Sequence, residues 1–121
     1  MINSLSDNEV FIFGSNLNGH HAGGAALQAV NAFGAEWGIG EGLTGHCYAF
    51  PTLDKDMRPL LRSDLIDSRH KLYATCNALP EKTFLLTAVG TGIAGNSHDY
   101  MKEIFTSQAT PGNLILPEEW R

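Results

Sequence analysis

The chain predicts an α/β fold built on a mostly parallel sheet. Two observations carry this. Short apolar runs alternate with stretches of helical period, in the order β-α-β-α-β-α-β, and two of the apolar runs pass straight into glycine-rich loops that open helices. Such alternation implies parallel strands joined by right-handed crossovers, with helices on both sides of the sheet. A length of 121 residues suits one domain with one core, residues 1–121, and no repeat or linker interrupts it.

Each element has its own warrant. Residues 10–13, "VFIF", read as a short buried strand. Residues 24–33 place apolar side chains at 26, 27, 30 and 33, the spacing of one helical face, with Gly34 as C-cap. Residues 37–45 read as glycine-punctuated loop, 46–50 as a strand ended by Pro51, and 52–62 as polar and irregular. Ser63 and Asp64 suit a helix start, and Asp64 and Asp67 put negative charge in the first turn. The stripe Leu65, Ile66, Arg69, Leu72, Tyr73, Cys76 and Leu79 predicts a helix over 64–78, stopped by Pro80. "TFLLTAV", 83–89, is the near-continuous apolar run of a central strand covered on both faces. After a second glycine loop at 90–96, Ser97 caps a short helix with Met101, Ile104 and Phe105 inward, and 113–116 make a last strand.

Composition narrows the function classes. With 43% hydrophobic and 17% charged residues the chain is an ordinary globular one, and no apolar run is long enough to span a bilayer. Residues 1–9 are polar, without a basic start or an apolar core, so no secretory signal is expected. Cys47 and Cys76 form no CxxC and are expected as free thiols in a reducing, cytoplasmic setting. The formal net charge of -5, without a Lys/Arg cluster, argues against duplex nucleic acid as partner. A small anion needs no net positive charge, because backbone amides and a helix N-terminus can hold it.

The 13 glycines gather in a few loops. The loops after 10–13 and after 83–89 fall at the carboxyl ends of strands, where open parallel sheets take their ligands. Glycine lets amides point inward and lets a phosphate approach closely. "GSNLNGHHAGG" is neither a Walker A loop nor a clean G-x-G-x-x-G, so glycines serving only tight turns and close packing stay as the alternative.

Three segments carry a family resemblance: "FGSNLNGHHAGGAALQAV", "GLTGHCYAFPT" and "FLLTAVGTGIAGNSHDYMKEIF". Together they resemble a compact, divergent macro domain, the module that binds ADP-ribose and related NAD-derived nucleotides. The resemblance implies a three-layer α/β/α sandwich. It implies that Gly90, Thr91, Gly92, Ile93, Ala94 and Gly95 wrap a diphosphate, that Gly23, Gly24 and Ala25 face the distal ribose, and that Asn16 touches that ribose. The chain departs from the family in two places. Asp7, ahead of the first motif, stands too close to Asn16 to match the family's adenine-holding Asp. His20-His21-Ala22 stand where hydrolytic members often carry an Asp.

Candidate residues follow, each with two readings. Asn16 bonds a ribose hydroxyl or positions a water; otherwise it is a turn residue bonding its own backbone. His20 and His21 serve as general acid or base or contact phosphate; otherwise they are solvated. Glu41 bonds a ribose or activates water, or is an exposed turn residue. His46 and His98 could join His20 or His21 on zinc, but no ligand spacing supports it, and no metal or other cofactor is expected. His70, Asp54 and Asp56 are expected to be solvated. Trp37, Phe50 and Tyr100 stack on a ring or fill the core, with Tyr100 the preferred ligand contact. Gly14, Ser15 and Asn96 complete the expected binding set at the lips of the two loops. Three functions remain open: a reader or sequestering module for an ADP-ribose-like nucleotide or an ADP-ribosylated macromolecule, a hydrolase of an ADP-ribosyl bond or terminal phosphate using Asn16, His21 and Glu41, and an interaction protein whose loops contact another chain.

Overall fold

A computed structural model describes residues 3–121; the first two residues of the polar start, Met1 and Ile2, lie outside it. Five strands form one sheet: β1 (Glu9–Asn16), β2 (Gly42–Thr44), β3 (Cys47–Leu53), β4 (Thr83–Leu86) and β5 (Leu114–Ile115). Three helices accompany them, α1 (Gly24–Phe33), α2 (Arg62–Ala78) and α3 (His98–Thr106), and a 3-10 turn (Glu118–Trp120) closes the chain. The strand order is β2-β3-β1-β4-β5. β1 runs parallel to β3 and β4, and β4 runs parallel to β5; β2 alone is antiparallel, to β3. The fold is α/β with a mixed, mostly parallel sheet.

Strand alternation divides the apolar side chains of β1 between two clusters. Val10 and Ile12 pack with Leu65, Leu72, Met101 and Phe105 of α2 and α3. Phe11 and Phe13 pack with Ala29 and Phe33 of α1. Both cysteines are buried free thiols, and burial pushes each up to about 12. Among the described residues no helix is long and apolar enough to cross a membrane.

Several elements fall where the sequence predicts them. α1 spans the expected residues and ends on Gly34 in the left-handed region, φ 79°. In α3 the Ser97 hydroxyl accepts from the Tyr100 amide at 3.1 Å, with Met101, Ile104 and Phe105 buried. In α2 the Asp64 carboxylate accepts from the Leu61 amide, so the helix begins two residues ahead of the expected start.

Three expectations are corrected. The strand expected to end at Pro51 continues through it to Leu53, on a stretch past the last residue that β2 pairs; proline is tolerated where a strand lacks an outer neighbour. The loop expected over 37–45 holds β2, joined to β3 by the two-residue turn Gly45-His46. Gly45 has φ 58°, as the first central position of a type II′ hairpin turn requires. The expected central strand over 83–89 stops at Leu86, and the central position belongs to β1. β4 is fully covered only on the α2/α3 face, where Phe84 and Leu86 are buried; Leu85 on the other face is half-buried.

Gly45 also touches the C-cap of α1. A Cβ there would lie 2.3 Å from the Gly34 carbonyl oxygen, and the adjacent His46 amide bonds Phe33 O at 2.9 Å. Gly45→Ala therefore combines a positive φ with a backbone clash. Chemical denaturation is expected to show a loss of ~2 kcal/mol or more.

Candidate functional site

β1 and β4 are parallel neighbours, so the loops that leave them emerge at the same rim. Between these loops lies a cleft of about 550 Å³. The first loop contributes Gly14, Ser15, Asn16, His20, Gly23, Gly24 and Ala25 to its lining. The second contributes Gly90, Thr91, Gly92, Ile93 and Ala94. The two walls meet at their base, where a Cβ on Gly14 would lie 3.7 Å from the Gly90 nitrogen.

The glycines divide by role. Gly19 and Gly40 are packing glycines: a Cβ on Gly19 would lie 2.3 Å from the Gly38 carbonyl carbon, and one on Gly40 2.5 Å from Asn16 O. They let residues 36–40 lie flat against the first loop, with Gly38 N bonding Gly19 O at 2.8 Å. Gly23 and Gly92 differ. Neither has a positive φ, and a Cβ on either would meet open space. The fold itself does not demand glycine at these two positions, and both face the cleft.

Backbone donors are available there. Gly23 is the N-cap of α1 and gives no side-chain cap bond, and the first turn holds no acid. Among the described residues the amides of Gly24, Ala25 and Ala26 thus keep the unpaired donors of a helix start, at its positive end. In the second loop, Gly95 N bonds Gly92 O at 2.9 Å and Asn96 N bonds Gly90 O at 3.0 Å, closing the bend. Among the described residues the amides of Gly92, Ile93 and Ala94 have no acceptor. No Asp, Glu, Lys or Arg lines the cleft, and His20 is its one titratable side chain among the described residues. In a chain of net charge -5, no carboxylate among the lining residues repels an anion in this cavity.

Of the three candidate catalytic residues, only Asn16 lines the cleft. Its amide closes the loop: Nδ2 donates to His20 O at 2.9 Å and Oδ1 accepts from His20 N at 3.1 Å. His21 turns away. It is 0% exposed, edge-on to Phe13 at 5.0 Å, with Nε2 3.0 Å from Ile39 O and Nδ1 without a partner. Burial holds its pKa below the usual histidine value, against the raising effect of the Ile39 and Glu36 carbonyls. Glu41 lies outside the lining, 3.5 Å from Lys71 Nζ of α2. Burial first, then the Glu41 charge, push the Tyr48 phenol up to about 12.

The remaining candidates scatter. Gly95 and Asn96 are not on the lining, and Asn96 Nδ2 has no partner among the described residues. Tyr100 also lies off the cleft; the Arg62 guanidinium sits over its ring at 5.7 Å. Phe50 is core, packed on Phe105 at 5.1 Å. Trp37 is 57% exposed and stacks on His20 at 5.3 Å, beside the cleft. His46 borders a separate hollow near residues 3–7, and His98 accepts from the Trp120 indole at 3.1 Å. Among the described residues no group of three or more His, Cys, Asp or Glu could hold a metal ion.

Sequence reasoning missed the floor and far wall: Thr87, Ala88 and Val89 just after β4, Thr52 and Leu53 at the end of β3, and Met57 beyond it. Asp54 builds that wall. Its Oδ1 accepts from the Asp56 amide at 2.8 Å and the Arg58 amide at 2.9 Å, bracketing Met57 at φ 61°. The signal was an Asp able to bond amides ahead of it, which marks a built turn.

No protein-family model, curated protein or solved structure matches the chain.

His21 makes stability depend on pH. Its folded pKa is depressed, so the unfolded chain takes up the proton first, near 6.5. The contribution is present above that value and is lost as pH falls through it toward the folded value. Wild type is expected to lose denaturation midpoint between pH 7.5 and pH 5.5, and His21→Gln to lose less over the same interval.

Proposed function

We propose that the cleft binds ADP-ribose or a related NAD-derived nucleotide, its diphosphate held mainly by main-chain amides. The chain then acts as a reader of ADP-ribosylated macromolecules or a sequestering module for the free nucleotide. The observation that carries this is the convergence of two sets of unpaired amides, from the first turn of α1 and from Gly92–Ala94, on one cavity without carboxylates. An anion at a helix N-terminus is favoured by both the free N–H groups and the dipole. The macro-domain resemblance gives the nucleotide its identity, and with it the three-layer α/β/α arrangement of which the two clusters on either side of β1 are the expected core.

Binding is preferred to hydrolysis because His21 and Glu41 lie off the cleft and the Asn16 amide is committed to the loop. Calorimetry with ADP-ribose tests capture. Product analysis after prolonged incubation tests turnover, and release of ribose, phosphate or nucleotide monophosphate would replace the binding reading with the enzymatic one.

Two substitutions separate ligand glycines from packing glycines. Gly92→Val places a branched side chain in open space inside the cleft. It is expected to weaken ADP-ribose by at least roughly tenfold, ~1.4 kcal/mol, with little change in Tm. Gly23→Asp supplies a better N-cap and a negative charge at the same point. Stability is expected to rise by a few tenths of a kcal/mol, about the difference between Asp and Gly caps, while the nucleotide is repelled. Parallel loss of stability and affinity in both variants would mark these glycines as structural.

A further inference from the structure

His20 is the one titratable side chain on the cleft among the described residues, and the loop fixes its position. The Asn16 amide bonds both of its main-chain groups, N at 3.1 Å and O at 2.9 Å. Its ring stacks on Trp37 at 5.3 Å, with 18° between the planes. Trp37 is kept there by the close approach of residues 36–40, where Gly38 N bonds Gly19 O at 2.8 Å. Main chain and ring are both held, yet among the described residues neither ring nitrogen has a hydrogen-bond partner.

The charged groups around the ring are engaged elsewhere or stand off the cleft. His21, next in the chain, is buried, and burial disfavours its charging. The packed segment brings Glu36, beside Trp37, and leads to Glu41, which pairs with Lys71. The far-wall turn is tied to the loop by Asn18 Nδ2, which donates to Lys55 O at 2.7 Å, and it carries Asp54, Lys55, Asp56 and Arg58. The Asp54 carboxylate is taken by the Asp56 and Arg58 amides. None of these lines the cleft, and neither the second loop nor the first turn of α1 carries a charged side chain. The imidazole therefore shares its cavity with amide donors, and a counter-charge for it has to come from the ligand.

We infer that His20 is a binding residue whose imidazolium pairs with a phosphate oxygen of the ligand, so that capture takes up a proton, and that Trp37 is the positioning residue that holds the ring at the lip. This rests on the nucleotide reading above. The amides set where the phosphate lies, and His20 supplies the one positive charge that the lining can offer among the described residues. Hydrogen bonds from a cation to an anionic oxygen are shorter and stronger than neutral ones. An indole face attracts a flat cation, so the stack survives protonation. Proton and ligand then favour one another: bound phosphate holds the proton on the ring, and a lower pH strengthens capture. The ligand is released more readily as pH rises.

The test is calorimetry with ADP-ribose between pH 8.0 and pH 5.5, in buffers of different ionisation enthalpy so that proton uptake is read directly. The diphosphate of that ligand is esterified at both ends, so its charge does not change over the interval. Wild type is expected to take up a fraction of a proton on binding near pH 7, and to bind roughly fivefold more tightly at pH 5.5 than at pH 8.0. His20→Gln, whose amide still donates, is expected to lose both the uptake and the gain. Trp37→Leu is expected to lose most of the gain and Trp37→Phe to keep it, whereas a merely structural Trp37 would lower affinity equally at every pH. A gain kept whole in Trp37→Leu removes Trp37 from that role. Affinity that does not vary with pH in wild type, or proton uptake that survives in His20→Gln, overturns the role of His20 and leaves the amide cleft standing. Failure of wild type to bind ADP-ribose at any of these pH values overturns the nucleotide reading and the role of His20 with it.

Discussion

The cleft depends on the parallel pairing of β1 with β4, four rungs from Glu9↔Thr83 to Ile12↔Leu86. Parallel neighbours end at the same rim, so whatever follows each strand is delivered to one place. β1 is also the strand on which both clusters are built, with Val10 and Ile12 on one side and Phe11 and Phe13 on the other. A slip of one residue would exchange these faces and bring the wrong side chains to the rim. Packing and site geometry thus rest on one register.

The site built on that register is made of backbone. Side chains that look chemically able are used elsewhere. The Asn16 amide staples its loop, His21 fills space under it, and Glu41 pairs with Lys71. What lines the cavity is main chain, small residues and the apolar residues Leu53, Met57, Val89 and Ile93, with His20 at the lip and Trp37 stacked on it. A cradle of amides favours charge over shape, because each N–H is directed and none needs a counter-charge to be held in place.

Much of this was legible in the sequence because local signals agreed with the tertiary fold. The 3.6-residue period of α1 and the left-handed Gly34 after it are set within a dozen residues, as are the Ser97 cap and inward face of α3. The convergence of the glycine loops followed from strand-helix alternation alone. Other features depended on distant partners. β2 has three residues and exists because Gly45 can press on Gly34 and turn the chain back along β3. Pro51 sits inside a strand because β2 stops short of it. Adjacent histidines look alike in sequence, yet His20 reaches the cleft and His21 the core, a choice made by the close approach of residues 36–40. Packing glycines and open glycines are likewise indistinguishable until their neighbours are known.

The central claim is that free main-chain amides of two loops hold a phosphate group. Amide-resolved NMR of the ¹⁵N-labelled chain titrated with ADP-ribose addresses it directly. The account predicts that the resonances of Gly24, Ala25, Gly92, Ile93 and Ala94 shift together along one binding curve. Saturation of the protein with those five unmoved, or shifts in one loop only, would contradict it.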